Sequence, residues 1–244
     1  MGKRATRRTT RPDAKVHALF PDAGEWDPLT AGDGDDRRYV RHVKPKSDNQ
    51  RRLMEALEEG TVTLALGPAG TGKTFLAVAK AVEALEDGRV QRIVLSRPAV
   101  EAGESLGYLP GDLEAKLQPY LRPLYDALNQ RLGGKRLKAL LAEGAIEIAP
   151  VAYMRGRTLS NSFVVIDEAQ NCTYGQIKML LTRLGWQSKL VLTGDPEQTD
   201  LLPGISGLVD IANRLEAVSA IRIIRLGDQD VVRHPLVAEM LGVL

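Results

Sequence analysis

Asp167 and Glu168 stand side by side directly behind an unbroken apolar run, Phe163 to Ile166, of the kind that fills a buried strand. Two adjacent carboxylates at a sheet's edge repel each other and are costly to desolvate. A bound cation offsets that cost, and the partner that would bring one is written upstream. Gly67-Pro68-Ala69-Gly70-Thr71-Gly72-Lys73-Thr74 matches the pattern G-x-x-x-x-G-K-[ST]. The glycines let the backbone bend until its N–H groups encircle phosphate oxygens, and the start of the following helix adds partial positive charge. In that arrangement Lys73 reaches β- and γ-phosphates and the Thr74 hydroxyl ligates Mg²⁺. At average composition the pattern arises by chance in roughly one chain in a hundred of this length. An ordinary strand–turn–helix connection is the bland alternative, and the flanking pattern argues against it.

With a phosphate loop upstream, the acid pair acquires two roles. Asp167 is expected to hold Mg²⁺ through water, while Glu168 faces the γ-phosphate and orients or deprotonates the attacking water. A second carboxylate there favours hydrolysis over transfer to another acceptor. A third polar element ends a further strand in Leu192 to Gly204, where Gln198 is placed to sense the γ-phosphate; a turn with local caps at Asp195 and Gln198 is the alternative. Arg97, Arg155 and Arg157 each fall just past a strand, with forks suited to phosphate oxygens, and Tyr153 offers a stacking face. Spacing alone leaves open whether these contact a nucleic-acid strand or are loop arginines beside a core tyrosine.

Positioning these groups requires a particular scaffold. Apolar runs predict strands at Val62 to Leu66, Arg92 to Leu95, Ala145 to Ile148, Phe163 to Ile166, Lys189 to Leu192 and Ile221 to Leu226. Between them, helical spacing predicts a Ser47-capped helix carrying Leu53, Met54 and Leu57. Further helices follow near Lys73 to Glu86, Leu113 to Leu128, Lys135 to Ala142 and Leu208 to Leu215. Alternating strands and helices predict an α/β fold with a mainly parallel sheet covered on both faces. In such sheets, ligands bind at the carboxyl ends of the strands.

The chain has 244 residues and a formal net charge of +2. No apolar run approaches the roughly 18 residues of a membrane span, and no secretory signal opens the chain. The single cysteine, Cys172, fits a reducing cytosol and a small buried thiol. His17, His42 and His234 are scattered, giving no metal-ligand spacing. Charge is segregated near the start: basic from Lys3 to Lys15, acidic from Asp22 to Asp36, basic again from Arg37 to Lys46. Residues 1–43 therefore read as a solvated, disordered tail, with a phosphate-contacting arm as the sharper alternative. Pro12 and the acidic block argue against a transit peptide.

The phosphate loop, "SRPAVEAGESLGYLPGD", "PYLRPLYDAL", "EIAPVAYMRGRTL", "DEAQN", "LTRLG", "LTGDPEQTDL" and "DVVRHPLV" occur here in order. Together they resemble the PhoH family of phosphate-starvation-inducible, ATP-binding proteins, from about Lys44 to Leu244. That family is similar to the first motor domain of superfamily one helicases. The resemblance implies a P-loop NTPase fold of RecA-like, three-layer α/β/α type, with ATP and Mg²⁺ as ligands. It implies that Gln50 reads adenine, that Gly67 to Thr74 hold phosphates, and that Arg97 contacts a nucleic-acid strand. It also makes Asp167 the Mg²⁺ ligand, Glu168 the catalytic acid, Gln198 the γ-phosphate sensor and Arg233 a candidate arginine finger.

Some members carry an added RNA-binding region or PIN nuclease domain, and this chain shows neither, only its charged tail. With one motor domain, the second wall of the nucleotide site is expected from another subunit, in a homo-oligomeric ring of six by family analogy. The leading expectation is a cytoplasmic ATPase that engages RNA or single-stranded DNA. A nucleotide-gated interaction module, pairing with a nuclease or ribosome-associated protein and hydrolysing slowly, is the alternative. A small-molecule kinase fits less well, because Glu168 and Gln198 both suit water as nucleophile.

Overall fold

The computed structural model describes residues 43–98 and 113–232. The first helix, α1 (Asp48–Glu59), starts at Ser47, whose hydroxyl accepts from the Gln50 amide. It buries Leu53, Ala56 and Leu57 on one face. Strand β1 (Val62–Leu66) runs into the phosphate loop, and α2 (Lys73–Glu86) leaves it. Then follow β2 (Arg92–Arg97), α3 (Leu113–Leu132), α4 (Gly134–Ala142), β3 (Ile146–Pro150), β4 (Ser162–Ile166), α5 (Tyr174–Leu181), β5 (Lys189–Gly194), α6 (Leu208–Leu215) and β6 (Ile221–Arg225).

The six strands form one sheet in the order β3-β2-β4-β5-β1-β6, and every pairing is parallel. Successive side chains alternate between the two faces as the pleat requires, and both faces of β1 and β4 are buried. On β4, Phe163 and Val165 join the core beneath α1 to α4, with Leu53, Leu76, Leu124 and Leu137. Val164 and Ile166 face the opposite core, with Ile177 of α5 and Leu208 and Ile211 of α6. Two cores on two faces explain why β1 and β4 read as continuous apolar runs. The expected three-layer α/β/α fold with a parallel sheet is present.

Strands lie within about two residues of their predicted bounds, and α2 and α6 coincide with theirs. One helix goes unannounced in the sequence. Helix α5 is short and buries only Ile177 and Leu180, too little for a helical period to stand out. Its start is nevertheless well made: the Thr173 hydroxyl accepts from the Gln176 amide while the Gln176 side chain accepts from the Thr173 amide. Among the described residues, no helix is long and apolar enough to cross a membrane. Residues 1–42, His17, His42, Arg233 and His234 lie outside the described residues.

Candidate active site

The parallel arrangement brings the ends of β1, β4 and β5 to one edge of the sheet. There the phosphate loop begins with a close approach. A Cβ on Gly67 would sit 2.3 Å from the Leu226 carbonyl oxygen, so only glycine lets the loop leave β1 against the end of β6. Gly72 caps α2 in the left-handed region at φ 85°, without a side-chain cap. The first N–H groups of α2 therefore have no intrahelical partner and remain available to an anion.

Lys73 is buried, and its ammonium donates to the carbonyls of Gly67 at 2.5 Å and Pro68 at 2.7 Å. Burial pushes its pKa below the ordinary value, partly offset by the carboxylates of Asp195, Glu168 and Asp167. A phosphate brought to the loop would supply the negative charge that this buried cation lacks at short range.

Asp167 is almost fully buried at the end of β4. One carboxylate oxygen accepts from two hydroxyls, Thr74 at 2.6 Å and Thr193 at 2.7 Å. The phosphate-loop threonine and the acid of β4 are thus already in contact. Hydroxyl plus carboxylate is the oxygen donor set that suits a hard cation such as Mg²⁺, so these residues fit the metal implied by the loop. Arg97, at the end of β2, spans both acids: Nη1 lies 3.7 Å from Asp167 and Nη2 lies 3.3 Å from Glu168.

Glu168 adopts left-handed backbone at φ 52°, ψ 43°, a strained choice for a residue with a Cβ. Its other carboxylate oxygen accepts from the Gln170 side-chain amide. The Gln170 side-chain oxygen in turn accepts from the Asp195 N–H at 3.1 Å. Gln170 therefore ties the acid pair to the loop after β5, packed against Gly194, where a Cβ would sit 2.8 Å from the Gln170 side-chain oxygen and 2.7 Å from the Leu208 side chain. The sequence does not single out Gln170 or Thr193; both become visible once β4 and β5 are known to be neighbours.

A cavity of about 310 Å³ gathers Gly70, Lys73, Thr74, Asp167, Glu168 and Gln198. Pro68, Ala69 and Thr71 complete the loop, the Thr71 hydroxyl donating to the Pro68 carbonyl at 2.8 Å. Gln50 is buried behind it, donating to the Thr71 carbonyl at 3.0 Å and accepting from the Lys46 amide at 2.8 Å. Its side chain thus braces the phosphate loop, with one donor and one acceptor site left over.

The nucleic-acid candidates divide. Arg155 and Tyr153 are exposed on the loop after β3, so Tyr153 is not a core residue. Arg157 is engaged in a two-pronged pair with Glu147 of β3, at 2.6 and 2.7 Å. That pair holds the Glu147 carboxyl below its ordinary value, against the opposing effect of burial. Cys172 is fully buried, and burial pushes its thiol up to about 12, as suits a packing residue.

A family described as "PhoH-like protein" matches residues 42–244. A PhoH-like protein of Bacillus subtilis (strain 168) is 53% identical over 202 residues, covering 82% of this chain and 63% of that one. A PhoH-like protein of Mycobacterium tuberculosis (strain H37Rv) is 54% identical over 204 residues, covering 83% and 58%. Protein PhoH of Escherichia coli (strain K12) is 40% identical over 243 residues, covering 96% and 69%. The chain thus spans about three-fifths of the length of the first two. Among solved structures, the large terminase of a thermophilic bacteriophage shares 13% identity at a TM-score of 0.49, over 82% of this chain and 50% of that one, a likeness too slight to bear on function.

Proposed function

The chain belongs to the PhoH-like protein family, and from that premise we propose that it is an ATPase that uses Mg²⁺ and couples hydrolysis to RNA or single-stranded DNA. The observation that carries this proposal is the 2.6 Å contact between the Thr74 hydroxyl and Asp167, set beside a phosphate loop whose helix start has unpaired N–H groups.

Gly67 to Thr74 wrap the phosphates, and Lys73 exchanges its loop carbonyls for β- and γ-phosphate oxygens. Thr74 and Asp167 would hold Mg²⁺, which when bound would supply positive charge beside the γ-phosphoryl group. Glu168 orients the attacking water and accepts its proton. Gln198, in the same cavity, reports on the γ-phosphate. Gln50 contacts adenine with the donor and acceptor it has to spare. Residues 44–244 form the ATPase domain and residues 1–43 a charged tail. Subunits assemble into a ring in the cytoplasm, with Arg233 of one subunit completing its neighbour's site, a contribution worth on the order of 10³ in turnover.

Arg97 supplies the coupling. Both oxygens of Glu168 are engaged, one by Arg97 and one by Gln170. A strand that draws Arg97 onto its own phosphates would release Glu168 for water. Arg155 and Tyr153, exposed nearby in sequence on the loop after β3, would extend the same strand-binding surface. The engaged state of Glu168 also favours a second reading, a nucleotide-gated module that binds a nuclease or ribosome-associated protein and hydrolyses slowly as a timer.

Steady-state ATP hydrolysis, with and without single-stranded RNA at several protein concentrations, separates the two. Stimulation by RNA, with rate per subunit rising as protein concentration rises, supports the coupled ATPase. Indifference to both favours the module. Glu168→Gln should bind ATP and leave it uncleaved; normal turnover by that variant would remove Glu168 from its role.

A further inference from the structure

Behind the phosphate loop, the chain after β6 is stitched to it at two points. The Leu226 N–H donates to the Leu66 carbonyl at 2.7 Å, where β1 becomes the loop. Past a short turn, Asp228 to Asp230, the Val232 N–H donates to the Gly70 carbonyl at 2.9 Å. Between these stitches lies Asp230, 2% exposed. One of its carboxylate oxygens accepts from the Gly227 N–H at 2.8 Å and from the Asn49 side-chain amide at 2.9 Å. Asn49 belongs to the first turn of α1, beside Gln50. The other oxygen of Asp230 is buried without a hydrogen-bond partner. Burial works against the charge on Asp230, but the nearby Ser47 hydroxyl and the hydrogen bonds from Asn49 and Gly227 keep the carboxyl below its ordinary value.

The consequence for the loop follows from peptide geometry. In a trans peptide, the carbonyl of one residue and the N–H of the next point in opposite directions, and no described peptide is cis. Val232 holds the Gly70 carbonyl, and Gln50 holds the Thr71 carbonyl. The N–H groups of Thr71 and Gly72 are therefore turned away from these donors, toward the concave side of the loop. Both donors stand on segments that Asp230 joins: the strap from Gly227 to Val232, and the start of α1.

We infer that Asp230 is a positioning residue for phosphate binding, locking the strap to α1 so that two consecutive peptides of the loop are set before the nucleotide arrives. It touches no substrate and acts through Val232 and Gln50. This inference rests on the proposal that the loop holds the phosphates of ATP.

The test uses the full chain and four proteins: wild type, Asp230→Ala, Asp230→Asn and Val232→Pro. Proline at 232 removes the N–H that reaches Gly70, and Val231 already has φ −67°, ψ 121°, the region a residue before proline adopts. Two quantities are measured: the Kd for Mg-ADP, and hydrogen exchange at the Thr71 and Gly72 amides without nucleotide. Val232→Pro and Asp230→Ala should weaken ADP by about tenfold or more, with faster exchange at both amides; Asp230→Asn, which keeps an acceptor oxygen, should fall between. Should Asp230→Ala fail to fold, the other two variants carry the comparison. A lower Tm with ADP affinity within twofold of wild type and unchanged exchange would make Asp230 a fold-stabilising residue only and overturn the inference. If wild type binds no ADP, the ATP proposal fails instead, and exchange alone decides whether the strap orders the loop.

Discussion

On the proposed function, replacing Arg97 with alanine should speed ATP hydrolysis in the absence of nucleic acid. The guanidinium lies 3.3 Å from Glu168 and 3.7 Å from Asp167. The Arg97 and Glu168 side chains are 23% and 35% exposed, so solvent screens the pair and the interaction is worth about 1–2 kcal/mol. If Glu168 must leave Arg97 before it can hold water, that energy is part of the basal barrier. Its removal should raise basal turnover roughly 5- to 30-fold, at a tenfold change per 1.36 kcal/mol. The ratio of RNA-stimulated to basal rate should fall toward one, since the strand has nothing left to release. Loss of the pair should lower Tm by about 2–8 °C in a chain of this size, so the variant can be assayed folded. Arg97→Lys, which cannot fork across both acids, should lie between. The assay is phosphate release with and without single-stranded RNA at saturating Mg-ATP. A basal rate that is unchanged or lower, with stimulation intact, would refute the latch and make Arg97 a stabiliser of transition-state charge or a bystander.

Three further outcomes are expected. Gly67→Ala puts a methyl group 2.3 Å from the Leu226 carbonyl at φ 144°, so it should displace β6 from the loop, weakening Mg-ADP by at least about tenfold and lowering Tm; a variant that binds normally would show the close approach to be dispensable. Because Arg157 lowers the Glu147 pKa, their pair contributes stability in full above the ordinary value of 4.5 and loses it as pH falls below. The stability gap between wild type and Arg157→Gln, about 1 kcal/mol or less in a pair this exposed and read as a difference in Tm, should therefore narrow in acid, and a gap constant with pH would count against it. Cys172, fully buried with its thiol pushed up to about 12, should resist thiol reagents at neutral pH until denaturant is added; rapid labelling of native protein would contradict that placement.

What the sequence discloses here is what buried parallel strands and a linear motif can disclose. Strands β1 and β4 are apolar on both faces, so they stand out as runs, and the phosphate loop keeps all its residues in one stretch. Side chains that work through a neighbouring strand stay hidden. Thr193 reaches Asp167 because Ile166 pairs with Leu192, which sets the next residue of each strand side by side. Nothing in either stretch alone announces that register. Arg157 looks like a phosphate ligand until β3 supplies Glu147 as its partner. The left-handed backbone of Glu168 has no compositional sign, since glycine is absent where the turn would favour it. Asp230 escapes notice because its partners lie at the opposite end of the chain, in α1.

The order of strands also governs when during synthesis the protein can begin to work. Strand β1 emerges early, yet both its neighbours come late: Val62 pairs with Leu190 of β5 and Ile221 of β6. The loop's own contacts reach Gly194, at the end of β5, and Leu226 and Val232, which follow β6. A nascent chain that has exposed only the phosphate-loop sequence has no sheet to support it, and such long-range parallel pairing is slow to form. The proposed nucleotide site therefore awaits β5 and β6. ATP added to a stalled or truncated product ending before β6 should find no site, and during refolding its capture should mark the docking of these two strands.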